Sequence, residues 1–107
     1  MKAAGEMIKA TLLKLKGVTA RPHRFGGMEY LYGKREIGHV HGNYLVDIPF
    51  PKKIRNELIS EGHVKPHHIL PDSGWVSFYI KSDPDVEAAI NLLKMSYELA
   101  VSTKAKH

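Results

Sequence analysis

Three runs with strand character, Met28–Tyr32, Arg35–His41 and Tyr44–Ile48, are separated only by Gly33-Lys34 and Gly42-Asn43. Loops this short leave no room for a crossover, so the runs must pair as an antiparallel meander. Gly33 can take the positive φ that opens a type II′ turn, and Gly42-Asn43 suits a two-residue hairpin loop. With two-residue loops, Tyr30 pairs with Ile37, Met28 with His39, His39 with Val46 and Gly38 with Asp47. Parity then sorts the side chains. One face holds Met28, Tyr30, Tyr32, Arg35, Ile37, His39, His41, Tyr44, Val46 and Ile48, and is the better core face. The other holds Glu29, Leu31, Glu36, Gly38, Val40, Leu45 and Asp47, and its carboxylates mark it as wet. A loop one residue longer at Gly42-Asn43 flips the third strand.

The remaining chain supplies the cover for this sheet. Residues 3–16 read as a helix, with Ala4, Ile8, Leu12 and Leu15 in one stripe and Gly17 at its end. Residues 18–25 read as an edge strand, because Pro22 has no N–H to donate. Pro49-Phe50-Pro51 closes the meander, and residues 51–61 follow as a short helix with Ile54 and Leu58 inward. Residues 63–74 form a long loop rich in His and Pro. Trp75–Ile80 is a strand with Val76, Phe78 and Ile80 on one side and Trp75, Ser77 and Tyr79 on the other. Asp83 as N-cap and Pro84 at the first helical position open a last helix, which runs to about Val101 with Val86, Ile90, Leu93, Tyr97 and Ala100 inward. Residues 102–107 read as a frayed tail. The order α-β-β-β-β-α-β-α predicts an α+β fold: an antiparallel sheet of about five strands with helices packed on one face, in a single domain over residues 1–107.

Composition narrows the classes of function. The 107 residues contain no cysteine. That excludes disulfides, thiolate metal sites and cysteine nucleophiles, and it fits a reducing cytoplasm. No apolar run has the length to span a bilayer, and the lysine-interrupted start does not read as a signal peptide. The net charge of +5 sits entirely in residues 1–24, through Lys2, Lys9, Lys14, Lys16, Arg21 and Arg24, while residues 25–107 are balanced. A basic N-terminal helix of this kind supports weak, salt-sensitive contact with nucleic acid.

Seven histidines are many for this length. His39 and His41 form an H-x-H pair on one strand face, a spacing that lets both imidazoles reach one metal or one ligand. A third partner would come from His67, His68 or Asp72 in the long loop. A histidine near its ordinary pKa also serves as an acid or base close to neutral pH. Glu29, Glu36 and Asp47 around Gly38 can hold a hard cation or simply keep that face hydrated. Arg21, Arg24, Lys34 and Arg35 bracket the meander and can hold an anion. Trp75 and Tyr79 share a face that suits a partner or a stacked ligand. No phosphate-binding loop, dinucleotide fingerprint or nucleophile elbow is present, and Ser73 in Asp72-Ser73-Gly74 reads as a turn.

The runs Arg21–Tyr30, Gly33–Gly42, Leu45–Pro51, Pro66–Ser77 and Ser96–Ala100 resemble, in that order, the small luciferase-family domain, over about residues 17–100. The resemblance carries no catalytic residue onto this chain, and no motif here marks a luciferin pocket or an oxygen-handling centre. The element order is also similar to double-wing α/β domains with a frataxin-like layout, some of which are proposed to bind DNA; that likeness is one of architecture.

These readings lead to an expectation. The domain binds a small polar or anionic ligand, or a protein partner, in a pocket made from Arg35, His39, His41, His67, His68, Asp72 and Trp75, with His39 deepest. Arg35 grips an anionic or carbonyl group, and no cofactor or metal is called for. Nucleic-acid binding through the N-terminal helix, and an enzyme using His39 or His41 as acid–base group or metal ligand, are the alternatives.

Overall fold

The computed structural model describes residues 3–23 and 26–105. Helix α1 (Ala4–Leu12) is followed by strands β1 (Val18–Pro22), β2 (Met28–Tyr32), β3 (Arg35–His41) and β4 (Leu45–Pro49). Then come helix α2 (Lys52–Ser60), a two-residue strand β5 (Lys65–Pro66), strand β6 (Trp75–Tyr79) and helix α3 (Asp83–Ala105). The strands form one antiparallel sheet in the order β1-β2-β3-β4-β6-β5. The α+β architecture and element order follow the sequence expectation, with β5 as a short sixth strand inside the segment read as loop. Pro22 lies on the edge strand, where its missing N–H breaks no ladder.

Helix boundaries shift for local reasons. Ala4, Ile8 and Leu12 are buried, but Leu13 is exposed, and i→i−3 bonds from Lys14 to Thr11 and from Leu15 to Leu12 tighten the chain into turns before Gly17. Helix α3 continues past Val101 to Ala105; Lys106 and His107, part of the expected tail, lie outside the described residues. At its start, the Asp85 carboxylate accepts the Lys81 and Ser82 N–H groups at 2.8 and 3.1 Å. That satisfies donors which the helix itself cannot.

Helices α1 and α3 pack on one face of the sheet and enclose Ile8, Leu12, Tyr30, Ile37, Val40, Val46, Ile48, Val76 and Leu93. Ile54, Phe78 and Ile90 are partly buried against the same core. Tyr30 is buried there, and loss of hydration pushes its phenol up to about 12.

The register of the meander departs from the two-residue-loop reading in two places. First, Tyr30 pairs with Gly38 and Leu31 with Glu36, so Ile37 is an extra residue in β3, a β-bulge. Beyond it, parity reverses: Val40 faces the helices and His39 and His41 face away. Second, His41 pairs with Leu45 and His39 with Asp47, so the loop holds Gly42, Asn43 and Tyr44. The two shifts cancel on β4. Val46 and Ile48 stay in the core, while Asp47 shares the opposite face with His39 and His41. The earlier placement of the histidines on the core face is therefore corrected.

The bulge has a packing cause. Gly38 sits at φ +156°, and a Cβ there would lie 2.4 Å from Leu93 Cδ2 of α3. The missing side chain lets the helix approach the sheet, and a lone glycine inside a strand pattern is a usual mark of a bulge. Leu93→Ala should cost about 2–5 kcal/mol by leaving a cavity, and Gly38→Ala about 1–3 kcal/mol by overpacking. Deleting Leu93 removes one of the atoms that a Cβ at position 38 would strike. The double variant should therefore lose clearly less than the sum in denaturant unfolding, and strict additivity would contradict this contact.

Candidate functional site

The sheet face turned away from α1 and α3 carries Glu36, His39 and His41 from β3, Asp47 from β4, and Trp75 and Ser77 from β6. Two ordinary strand properties place them there. Cross-strand pairing sets His39 beside Asp47 and Asp47 beside Ser77, and alternation sends all of them to one side. The bulge adds Glu36. An i,i+3 pair points to opposite faces in a regular strand, yet Glu36 Oε2 lies 2.7 Å from His39 Nδ1.

The loop after β5 completes the cluster. Its second half is tied down: Arg55 of α2 donates to the Pro71 carbonyl, and Phe50 N–H donates to Gly74 O at 3.0 Å. Ahead of these ties, His67 and His68 lie over the sheet beside Asp47. Nδ1 of His67 accepts the N–H groups of Ile69 and Leu70 at 3.1 and 3.0 Å. The hydrogen of that neutral ring is thus on Nε2.

Asp47 is the centre. Its side chain is 0% exposed, although it is a carboxylate. Oδ1 accepts Ser77 Oγ–H at 2.7 Å. Nε2 atoms of His39 and His41 lie 3.0 Å from Oδ2, that of His68 at 3.1 Å and that of His67 at 3.5 Å. His23 stacks on His39 with ring centroids 4.3 Å apart, and the Trp75 ring lies 5.1 Å from His39. A cavity of about 330 Å³ opens above, lined by His23, Glu36, His39, His41, Asp47, His67, His68, Ile69, Leu70 and Trp75. Its rim is apolar: Ile69 and Leu70 are 71% and 52% exposed.

The electrostatics follow from this crowding. For His39, burial acts to lower the pKa, but its hydrogen bonds to Asp47 and Glu36 outweigh that and push it up to about 9. For Asp47, burial acts to raise the pKa, but its contacts with His39, Ser77 and His68 and the field of His67 hold its carboxyl well below the usual carboxylate range. Burial pushes His67 down, which agrees with its neutral tautomer. Three groups have ligand atoms within 4.8 Å of one another, close enough for one cation: His23–Glu36–His39, His39–Asp47–His67 and His41–Asp47–His68.

Of the expected site residues, His39, His41, His67, His68 and Trp75 come together, with His39 buried and hydrogen-bonded. Arg35 does not join them. It is exposed and pairs with Tyr32 before the bulge, on the opposite parity. Asp72 is exposed on the loop and outside the cavity lining. Glu29 pairs with Arg21 at 3.2 Å and is not part of the cluster. Asp47, read from sequence with Glu29 and Glu36 as either a hard-cation group or a hydrated face, is the residue the cluster surrounds; Glu36, His23 and Ser77 were not expected beside the histidines. Gly38 was the available signal, since a bulge at that glycine brings Glu36 and the histidines to one face.

The profile of the Luciferase domain family matches residues 34–96. That is more than half of the chain and contains every residue of the cluster except His23, and the chain belongs to this family. No curated protein and no solved structure gives a significant match. Among the described residues, no helix is long and apolar enough to cross a membrane.

The signs of the two shifts define a pH test. A raised His39 contributes stability that is full below its ordinary 6.5 and is lost as pH rises through about 9. A depressed Asp47 contributes stability present above its ordinary 3.8 and lost only in stronger acid. With a chelator present, the His39 ring should titrate near pH 9 by NMR, and Glu36→Gln should move it down toward 6.5. A wild-type midpoint at or below 6.5 would show that His39 is not held between two carboxylates.

Proposed function

We propose that this Luciferase-domain chain is a ligand-binding domain, and that its ligand is a small, flat molecule with a polar edge, held in the cavity above Asp47. The observation that carries this reading is the convergence of His23, Glu36, His39, His41, Asp47, His67 and His68, from four separate stretches of chain, on one cavity with an apolar rim. Burying a carboxylate among imidazoles contributes little to folding compared with an apolar core. Convergent polar groups inside a concave, partly apolar site are the usual make-up of a small-ligand pocket, and the volume falls at the small end of that range.

The lining points to the ligand's chemistry. Trp75 and the imidazole rings offer flat surfaces, Ile69 and Leu70 cover apolar edges, and His41 and His68 face the open side with polar atoms. Arg35 lies elsewhere, and the charge on His39 is already matched by Glu36 and Asp47. A neutral polar edge therefore suits the cavity better than an anion does. His41, paired with Asp47 on the cavity wall, also favours a catalytic extension, in which that ring moves a proton of the bound molecule. The basic residues Lys9, Lys14 and Lys16 belong to the N-terminal segment on the helix side of the sheet, so nucleic-acid contact there would leave the cavity untouched.

The test uses the full chain with a chelator, titrated separately with benzimidazole, 2-hydroxypyridine, benzoate and a short DNA duplex. The expected result is amide shifts at residues 36–41, 67–70 and 75, with quenching of the single tryptophan, for the two neutral heteroaromatics at about 1 mM. Absence of shifts in those segments for every small probe would contradict the reading. So would duplex binding that survives about 150 mM salt and perturbs the cavity.

A further inference from the structure

We propose that His41, Asp47 and His68 form a site for one divalent first-row transition-metal ion, whose remaining coordination positions open into the cavity. This rests on the cavity being a binding site and names what would recognise the ligand's polar edge.

One atom of the cluster is overcrowded. Asp47 Oδ2 has two lone pairs, yet four imidazole Nε2 atoms approach it within 3.0–3.5 Å. Two of the four rings have their hydrogens placed. His39 lies between Glu36 Oε2 and Asp47 Oδ2, two acceptors, so it carries hydrogen on both nitrogens. His67 accepts two backbone N–H groups at Nδ1, so its hydrogen is on Nε2. Both of these hydrogens point at Oδ2, the His67 contact being the long one.

His41 and His68 compete for what is left. Among the described residues, neither has a hydrogen bond at Nδ1, so either ring nitrogen can hold its hydrogen. With both hydrogens on Nε2, four donors crowd an oxygen that has two lone pairs. With both on Nδ1, three lone pairs face one point and repel. With one on each, a bare Nε2 still faces Oδ2 at 3.0 or 3.1 Å. A cation at that point, bonded to His41 Nε2, His68 Nε2 and Asp47 Oδ2, removes the conflict in every case.

The surroundings fit a ligated ion. The three atoms lie within 4.8 Å of one another, and the two nitrogens are 3.0 and 3.1 Å from Oδ2. Bonds of about 2.1 Å at right angles place neighbouring ligands about 3.0 Å apart. Two imidazoles and one carboxylate select iron(II), cobalt, nickel or zinc over calcium or magnesium, which prefer all-oxygen sites. Ser77 on Oδ1 and His39 on Oδ2 orient the carboxylate from behind, as outer-shell partners of metal sites do. The inner group His39–Asp47–His67 offers no second site, because both rings hold hydrogen on the nitrogen that faces Asp47. Asp47 is fully buried while His68 is about one third exposed, so the ion would be held from the sheet side and open toward Ile69, Leu70 and Trp75. Three protein ligands on one side leave positions for water or a ligand atom.

The experiment titrates EDTA-treated full chain with Zn²⁺ by calorimetry and with Co²⁺ by visible absorption, and records long-range ¹H–¹⁵N spectra of the histidines. One ion per chain should bind, and the Nε2 signals of His41 and His68 should move. His41→Ala and His68→Ala should each weaken binding at least about 100-fold, and Ser77→Ala about 10-fold. His63→Ala, on an exposed ring beside Glu61 and away from the cavity, should change nothing. Far-UV circular dichroism checks that each variant is folded; His68 lies on a surface loop, so its truncation keeps the test valid if the His41 variant unfolds. No saturation by about 1 mM Zn²⁺, full affinity in folded His68→Ala, or nitrogen shifts confined to other histidines would overturn the site. The fragment titration runs without metal, so fragment binding without zinc binding overturns the ion and leaves the ligand pocket standing. Zinc binding without fragment binding does the reverse.

Discussion

A buried carboxylate organises one whole side of this molecule. Asp47 sits in the middle of the sheet with no exposed surface, where an unpaired charge would be strongly unfavourable. Its neighbours are all partners. Ser77 comes from the next strand on one side, His39 and His41 from the strand on the other, and His67 and His68 from a loop reached only after α2 and β5. The loop therefore has an electrostatic reason to lie over the sheet, beyond its ties to Arg55 and Phe50. The cavity exists because the loop is drawn back at His67 and His68 while Ile69 and Leu70 stand clear at its rim.

The opposite face explains how the carboxylate acquires its partners. Helix α3 needs close approach at Leu93, and Gly38 provides it. The same glycine accompanies the bulge that makes Ile37 the extra residue. That bulge turns Ile37 and Gly38 toward the helices and sends Glu36, His39 and His41 the other way. Core packing and the functional face are thus coupled through one irregularity in β3. With the same hairpin pairing, a regular β3 would have carried His39, His41 and the paired Asp47 to the helix face under α3.

Much of this was readable from residues, and the part that was not has a definite cause. The meander, the edge position of Pro22, the short helix after Pro51 and the last helix rest on turn chemistry and hydrophobic period, which act locally. The meeting of His39 and His41 with the loop histidines was also within reach, because a loop of that length has to cross one face. The face itself was not. Parity propagates from the loops, so one bulge and one additional loop residue each invert it, and both occur within β3 and its hairpin. Asp47 kept the face it was read onto, because the two shifts cancel on β4, and it looked hydrated because the histidines were read onto the other face. Arg35 and Asp72 entered the expected pocket by the same route: Arg35 lies ahead of the bulge and keeps the old parity, while Asp72 sits past the point where the loop turns away.

The central claim is that the charge of Asp47 holds the histidine loop against the sheet. Amide hydrogen exchange of Asp47→Asn against the wild-type chain tests it most directly. The substitution keeps size and shape but removes the charge that His39, His67 and His68 face. Exchange at Ile69 and Leu70, whose N–H groups bind His67 Nδ1, should quicken by roughly tenfold or more, while the amides of β3 and β4 stay protected. Unchanged exchange at Ile69 and Leu70, in a variant that has lost the carboxylate charge, would contradict the account and assign the loop's position to Arg55 and Phe50 alone.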